Sequence, residues 1–282
     1  MKRAYADTSL GQVHYMHGGK GPPLLLLHPG PRSSRFYWKL APVLARDFTV
    51  YAPDTLGFGA SDPAPDDVTL PMLAGTMAEF LTAVGVQKAH VFGLHTGNKI
   101  GACMGVRHAD RIDKLMLCGM THSLVVETQK RNAEIHKIVG YFTDRATAAD
   151  DRRMLLDWAN GFRELSSEWW RQDLLERKEL GALRFGHMQN RVADILLCRD
   201  SMAASRRAIM ALDFAEELRQ LQIPALVVEL VSKGEEHLGH QGPRLVEMMK
   251  MGSLVTIENA DRDLLEFEPE RIAEIIVRHI NG

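Results

Sequence analysis

The chain has 282 residues, 45% hydrophobic and 25% charged, with a formal net charge of −2. That length supports a large buried core, and the near-neutral balance provides no global field that would favour nucleic acid or a membrane surface. Cys103, Cys118 and Cys198 are too few and too widely spaced for a disulfide framework or a zinc knuckle, so buried thiols in a reducing cytoplasm are expected.

The N-terminal ten residues are charged and then polar, without the apolar stretch of a signal peptide. The longest apolar run, 22–27, is far shorter than the ~20 residues that cross a bilayer. A soluble, cytoplasmic protein is the expectation. Residues 12–17 read as a short strand closed by Gly18-Gly19. Residues 23–27 form a continuous apolar run, as in a strand buried on both faces. Helical spacing follows over 36–44, then a strand over 48–52 ending at Pro53-Asp54. A helix is predicted over 69–84 with Gly85 as its stop. A strand over 89–93, a helix over 97–108 and a strand over 114–118 continue the alternation. Strands separated by helices imply βαβ units and a mostly parallel sheet.

The pattern changes from about 123 to 218. No buried strand is evident there, and apolar positions such as Ile135, Ile138, Val139 and Phe142 fall at helical spacing. The sheet resumes over 224–230, followed by a helix from about 243, a strand over 253–257 and an amphipathic helix over 271–280. The organisation expected is an α/β core of residues 1–122 and 219–282, with an eight-stranded sheet, interrupted by a helical cap of residues 123–218. A site would lie in loops at the strand C-termini, beneath the cap.

Four motifs carry a resemblance. Leu27-His28-Pro29-Gly30-Pro31 follows a strand. Tyr51 to Asp62 contains D-x-x-G-x-G-x-S, beginning at Asp54. Gly93-Leu94-His95-Thr96-Gly97 joins a strand to a helix. Ile257-Glu258-Asn259-Ala260-Asp261-Arg262-Asp263-Leu264-Leu265-Glu266 follows the last strand. Together these resemble the α/β-hydrolase superfamily over nearly the whole chain. The resemblance implies that 27–31 is the loop supplying one oxyanion-hole N–H, and that 93–97 is the nucleophile elbow. Pro29 and Pro31 have no N–H, which leaves Gly30 or Arg32 as the first donor. Thr96 would be the second.

The chemistry departs from the family at all three triad positions. His95 stands where the nucleophile is Ser, Cys or Asp. Arg262 replaces the usual histidine, and Asp261 the glycine before it. The acid loop after 224–230 lacks its Asp, and Glu235 or Glu236 would serve only in a longer loop. A Ser-His-Asp mechanism is excluded. A neutral imidazole can act as general base or acid near its unperturbed pKa of about 6.5, or attack a carbonyl to give an acyl-imidazole. The positive end of the following helix disfavours the imidazolium. Arg262 stays protonated and suits an anion clamp, with Asp261 orienting His95 or neutralising Arg262.

The expected activity is on a small carbonyl substrate: an ester, a thioester or a C–C bond. Two other readings stand beside it: a cofactor-free lyase or isomerase with His95 as base, and a lapsed site that only binds ligand. His28 more often supports the loop backbone than it meets substrate. Trp158 and Trp169, with Phe162, Trp170, Phe185 and Met188, are candidates for an apolar roof. No organic cofactor is expected, because no dinucleotide or phosphate loop is present. No metal is expected either, since His237 and His240 beside Glu235 and Glu236 form no compact ligand motif. The partner expected is a small molecule, and a homodimer stays open.

Overall fold

The computed structural model describes residues 1–119, 181–198, 201–231, 241–260 and 264–282, with the backbone alone over 181–188. Among these, eight strands form one sheet in the order β1-β2-β4-β3-β5-β6-β7-β8. The strands are β1 (Lys2–Thr8), β2 (Gly11–Gly18), β3 (Pro23–Leu27), β4 (Thr49–Pro53), β5 (Ala89–Leu94), β6 (Ile112–Cys118), β7 (Ala225–Val231) and β8 (Gly252–Glu258). β2 pairs antiparallel with both β1 and β4, and every other pairing is parallel.

The central strands are mostly apolar because helices cover both faces. Leu25 and Leu27 of β3, Val91 of β5, Leu115 and Leu117 of β6 and Val227 of β7 join one core cluster. Leu24, Leu26, Phe92, Leu94, Met116, Leu226 and Val228 join the other. Successive residues point to opposite faces, so a strand buried on both sides shows no alternation for a sequence pattern to detect.

The first face carries α2 (Leu70–Ala83), α3 (Thr96–Arg107), α5 (Met202–Ala211), α6 (Phe214–Gln220) and α7 (Gly242–Met248). The second carries α1 (Leu40–Leu44), α8 (Leu264–Phe267) and α9 (Pro269–Asn281). Thr69 caps α2, its hydroxyl accepting from the Met72 N–H at 3.2 Å. In α9, Ile272, Ile276 and Ile280 recur every fourth residue and are buried, the stripe that helical geometry requires of a half-covered helix. The Lys114 ammonium donates to the carbonyls of His279 and Ile280 at 2.8 and 3.0 Å, satisfying the end of that helix.

Three features differ from the sequence expectations. The N-terminal segment, read only as charged and polar, is strand β1; Ala6 is its one buried residue, so it carries no hydrophobic period. The single helix expected over 36–44 is a 3₁₀ turn, Ser34–Tyr37, followed by α1. Pro42 has no N–H to donate back to Trp38, so a continuous α-helix cannot run through this stretch. Within the segment expected as cap, α4 (Gly181–Leu197), α5 and α6 are helical, while residues 120–180 lie outside the described residues. Ala204, Ala208, Phe214 and Leu218 of α5 and α6 are buried in the first core cluster, and α6 runs across the expected boundary at 218. The three thiols are free and buried.

Candidate active site

The C-terminal ends of the parallel strands converge on one edge of the sheet: His28 follows β3, Asp54 follows β4, His95 follows β5 and Gly119 follows β6. This is where a parallel α/β sheet places its ligands.

His95 has φ 51° and ψ −109°, and Asn259 is the other non-glycine residue at positive φ among the described residues. The sharp turn from β5 into α3 forces this conformation, and the neighbouring glycines permit it. A Cβ on Gly93 would lie 2.5 Å from the Gly97 carbonyl, and one on Gly97 would collide with the Leu27 carbonyl. Strand, elbow and helix are thus packed backbone against backbone. Such strain persists only where the surroundings over-determine it. Here they do: the His95 N–H donates to Cys118 O at 3.3 Å, and the Asn98 N–H to His95 O at 3.0 Å. The Asn98 amide donates to the carbonyls of both Cys118 and Gly119 at 2.8 Å. The elbow is tied to the end of β6.

The loop after β3 closes on the elbow from the other side. A Cβ on Gly30 would sit 3.2 Å from the Thr96 hydroxyl, so the two residues expected to supply the oxyanion hole are neighbours. The Arg32 N–H is occupied, donating to Pro29 O at 2.8 Å. Of the two donors the sequence left open in this loop, that leaves Gly30.

His28 is buried, and both its ring nitrogens are engaged. Nδ1 lies 3.0 Å from Pro29 O and Nε2 accepts from the Thr55 N–H at 3.0 Å. This pattern places the proton on Nδ1. Burial pulls its pKa down, partly opposed by the Asp54 carboxylate. The ring joins the β3 and β4 loops, in keeping with a role in supporting the backbone.

Asp54 anchors the same region. One carboxylate oxygen accepts from the Ser34 N–H at 2.6 Å; the other accepts from the Ala60 N–H and faces His14 Nδ1, both at 2.9 Å. Burial alone would raise its pKa, but the bonds from His14, Ser34 and Ala60, with the field of His28, outweigh it and leave the carboxyl below its usual range. A Cβ on Gly59 would collide with this carboxylate. That contact is the physical demand behind the glycine in the D-x-x-G-x-G-x-S motif.

A buried ion cluster that no sequence pattern suggested flanks the loop. Arg32 Nε donates to Asp194 of α4 at 3.1 Å, and its Nη2 to Glu266 of α8 at 2.9 Å. Ser33 Oγ donates to the other Asp194 oxygen at 2.6 Å. Of the remaining expected site residues, Trp158, Trp169, Asp261 and Arg262 lie outside the described residues, as do Phe162, Trp170, Glu235, Glu236, His237 and His240. The side chains of Phe185 and Met188 do too. His95, Thr96, Gly30 and His28 are brought together.

Residues 22–194 match the family model described as alpha/beta hydrolase fold, more than half of the chain. The chain belongs to the α/β-hydrolase fold family. Within this family it is 34% identical over 112 residues to haloalkane dehalogenase 2 of Mycobacterium tuberculosis (strain ATCC 25618 / H37Rv), covering 39% of each chain. It is 30% identical over 114 residues to the soluble epoxide hydrolase of Corynebacterium sp. (strain C12), covering 40% of each. The matched stretch spans about two fifths of the length of these relatives. The enol-lactonase from Burkholderia xenovorans LB400 superposes with a TM-score of 0.77 at 20% identity, over 99% of this chain and 100% of that one, which is a likeness of fold. No helix among the described residues is long and apolar enough to cross a membrane.

Proposed function

We propose that this α/β-hydrolase-fold protein is a hydrolase of small carbonyl substrates, an ester, thioester or activated C–C bond, with His95 as its nucleophile or general base. The observation that carries the reading is the elbow itself: His95 is held at positive φ between β5 and α3, beside the Gly30–Thr96 junction. A strained backbone maintained at a helix N-terminus is costly for a position with no task. Relatives named as a dehalogenase and an epoxide hydrolase, and a structural neighbour named as an enol-lactonase, support action on small molecules.

In the nucleophilic route, an imidazole nitrogen adds to the carbonyl carbon, and the N–H groups of Gly30 and Thr96 receive the developing oxyanion. The C–O or C–S bond breaks, and the leaving group takes up the proton released by the ring. Water then cleaves the acyl-imidazole, giving the acid and restoring His95. In the general-base route, the ring takes a proton from water as that water attacks, with the same net products. Arg262 would clamp an acidic portion of the substrate, with Asp261 orienting His95 or neutralising Arg262.

The test is turnover of small aryl esters, thioesters and β-diketones by the wild type, His95→Ala and His95→Ser. The expected result is a loss of about 10²-fold or more in His95→Ala with ligand affinity retained, and no recovery in His95→Ser, which lacks a histidine to activate the hydroxyl. Partitioning between acid and hydroxamate in added hydroxylamine separates the two routes: a shared acyl-imidazole gives one ratio for esters with different leaving groups, whereas direct attack gives a ratio that varies with the leaving group. A wild type inert on every class, or His95→Ala with full activity, would overturn the proposal.

A further inference from the structure

The proposed chemistry makes no use of the Arg32 side chain, yet this is the residue two positions beyond Gly30 and it is almost fully enclosed. Its side chain is 8% exposed, and its partners are 0% exposed at Asp194 and 4% at Glu266. Its own N–H closes the Pro29–Arg32 turn that carries Gly30. Its guanidinium lies over the Phe36 ring at 4.9 Å. Asp194 is held by three residues of the same loop: Arg32, the Ser33 hydroxyl, and Arg35 at 4.0 Å.

We propose that Arg32 is a positioning residue, whose guanidinium fastens the Gly30 turn at once to α4 through Asp194 and to α8 through Glu266. The importance of Gly30 as a donor rests on the proposed hydrolase reading; the fastening of the turn does not.

Energetics point to geometry rather than stability as the role of this cluster. Removing three charges from water is expensive, and well-packed apolar groups in their place are often as stable or more so. What apolar groups cannot supply is direction. Guanidinium donors leave a rigid plane at fixed angles, so one arginine reaches two carboxylates on different elements. A lysine carries its three donors on one nitrogen, a point charge that cannot span both carboxylates as the planar fork does. The turn between Pro29 and Arg32 is short, so a shift of its last residue is transmitted directly to Gly30. An oxyanion donor displaced by a fraction of an ångström loses much of its effect on rate while leaving substrate binding nearly intact.

The experiment uses the whole chain and two variants: Arg32→Lys, and the triple replacement Arg32→Met, Asp194→Leu, Glu266→Leu, which removes the three charges together. Three quantities are measured: melting temperature, kcat and KM on 4-nitrophenyl acetate, and the backbone ¹⁵N order parameter of Gly30. Expected for the triple variant is a melting temperature near that of wild type, KM within about threefold, and kcat lower by about tenfold or more. The Gly30 order parameter should fall from a rigid value of about 0.85 toward 0.6 while Leu24 to Leu27 keep theirs. Arg32→Lys should change kcat and Gly30 in the same direction by a smaller amount, and it carries the test if the triple variant does not fold. Unchanged Gly30 mobility, or kcat retained with the cluster removed, would overturn the proposal. A wild type without esterase activity would count against the hydrolase reading alone, because the order parameter still decides whether Arg32 holds the turn.

Discussion

Gly119 stands against the imidazole of His95: a methyl group at 119 would lie 3.3 Å from Cδ2 and 3.4 Å from Nε2 of the ring. The end of β6 therefore forms one wall of the slot the ring occupies. That wall is stiff, because the Gly119 N–H donates to Val228 O at 3.0 Å and its carbonyl accepts from Asn98. The added methyl also meets Leu94 Cδ1 at 3.0 Å, and Gly119→Ala should be destabilising for separable reasons. Its φ of +56° penalises any side chain by about 1–2 kcal/mol whatever occupies position 95. The crowding against the ring exists only with His95. Urea denaturation of Gly119→Ala in the wild-type and His95→Ala backgrounds should give a cost smaller by about 1 kcal/mol in the second. Equal costs would mean that the ring moves aside freely and the wall does not confine it.

Lys99 is a further charged group that the fold buries, in the first turn of α3 after the elbow. It is 1% exposed, and its ammonium donates to the Ile209 carbonyl at the end of α5, at 3.2 Å. Burial draws its pKa down to about 8, against about 10.4 in an unfolded chain. Between these values the unfolded state holds a proton that the folded state has lost, so Lys99 makes a contribution to stability that rises with pH from about 8 to about 10.4, set against the buried thiols of Cys103 and Cys198, held up at about 12, whose contribution falls above about 8.5. Lys99→Met should remove that rising contribution. It should also raise stability at pH 7 by an amount on the order of 1–3 kcal/mol, less about 1 kcal/mol for the hydrogen bond lost at Ile209. Denaturant midpoints of wild type and Lys99→Met across pH 7 to 10.5 check both statements, and a difference between the two that does not change with pH would contradict them.

Asp54 behaves in the opposite sense. Its carboxyl is held below the ordinary range by His14, Ser34 and Ala60, so the stability it contributes is complete above the unfolded value of about 3.9 and is lost as pH falls through its lower folded value. Asp54→Asn should remove this acid-limb dependence. It should also cost about 2 kcal/mol or more at neutral pH, because each carboxylate oxygen accepts from a backbone N–H and the amide must turn its own donor toward one of them. Acid titration followed by circular dichroism, compared with denaturation at pH 7, would reveal both effects.

Local patterns carry the sheet well and the site only in part. The run at 23–27 is legible because four consecutive leucines can all be buried only between two helical layers. The elbow is legible because Gly93 and Gly97 are demanded by backbone contacts that a five-residue motif encodes. β1 is not, since it pairs through its backbone and buries almost nothing. The Arg32–Asp194 bond joins residues 162 positions apart. A charge whose partner lies that far along the chain looks, in sequence, like any solvated arginine. Asp54 falls between: its motif was evident, but that its carboxylate gathers two backbone N–H groups and His14 is a property of the folded loops alone.

The turn at His95 also has a bearing on what the scaffold can be made to do. With Gly93 and Gly97 fixed by their neighbours, the backbone around position 95 does not depend on which side chain it presents, so the position acts as a socket for interchangeable reactive groups. The socket has its own selectivity. A φ of 51° with ψ −109° lies outside the αL well that asparagine and aspartate favour, so it is easiest for glycine and hardest for β-branched residues. Threonine and valine should therefore seat there with the largest loss of stability. The torsion angles, before any substrate is considered, have already restricted the chemistry this site can acquire.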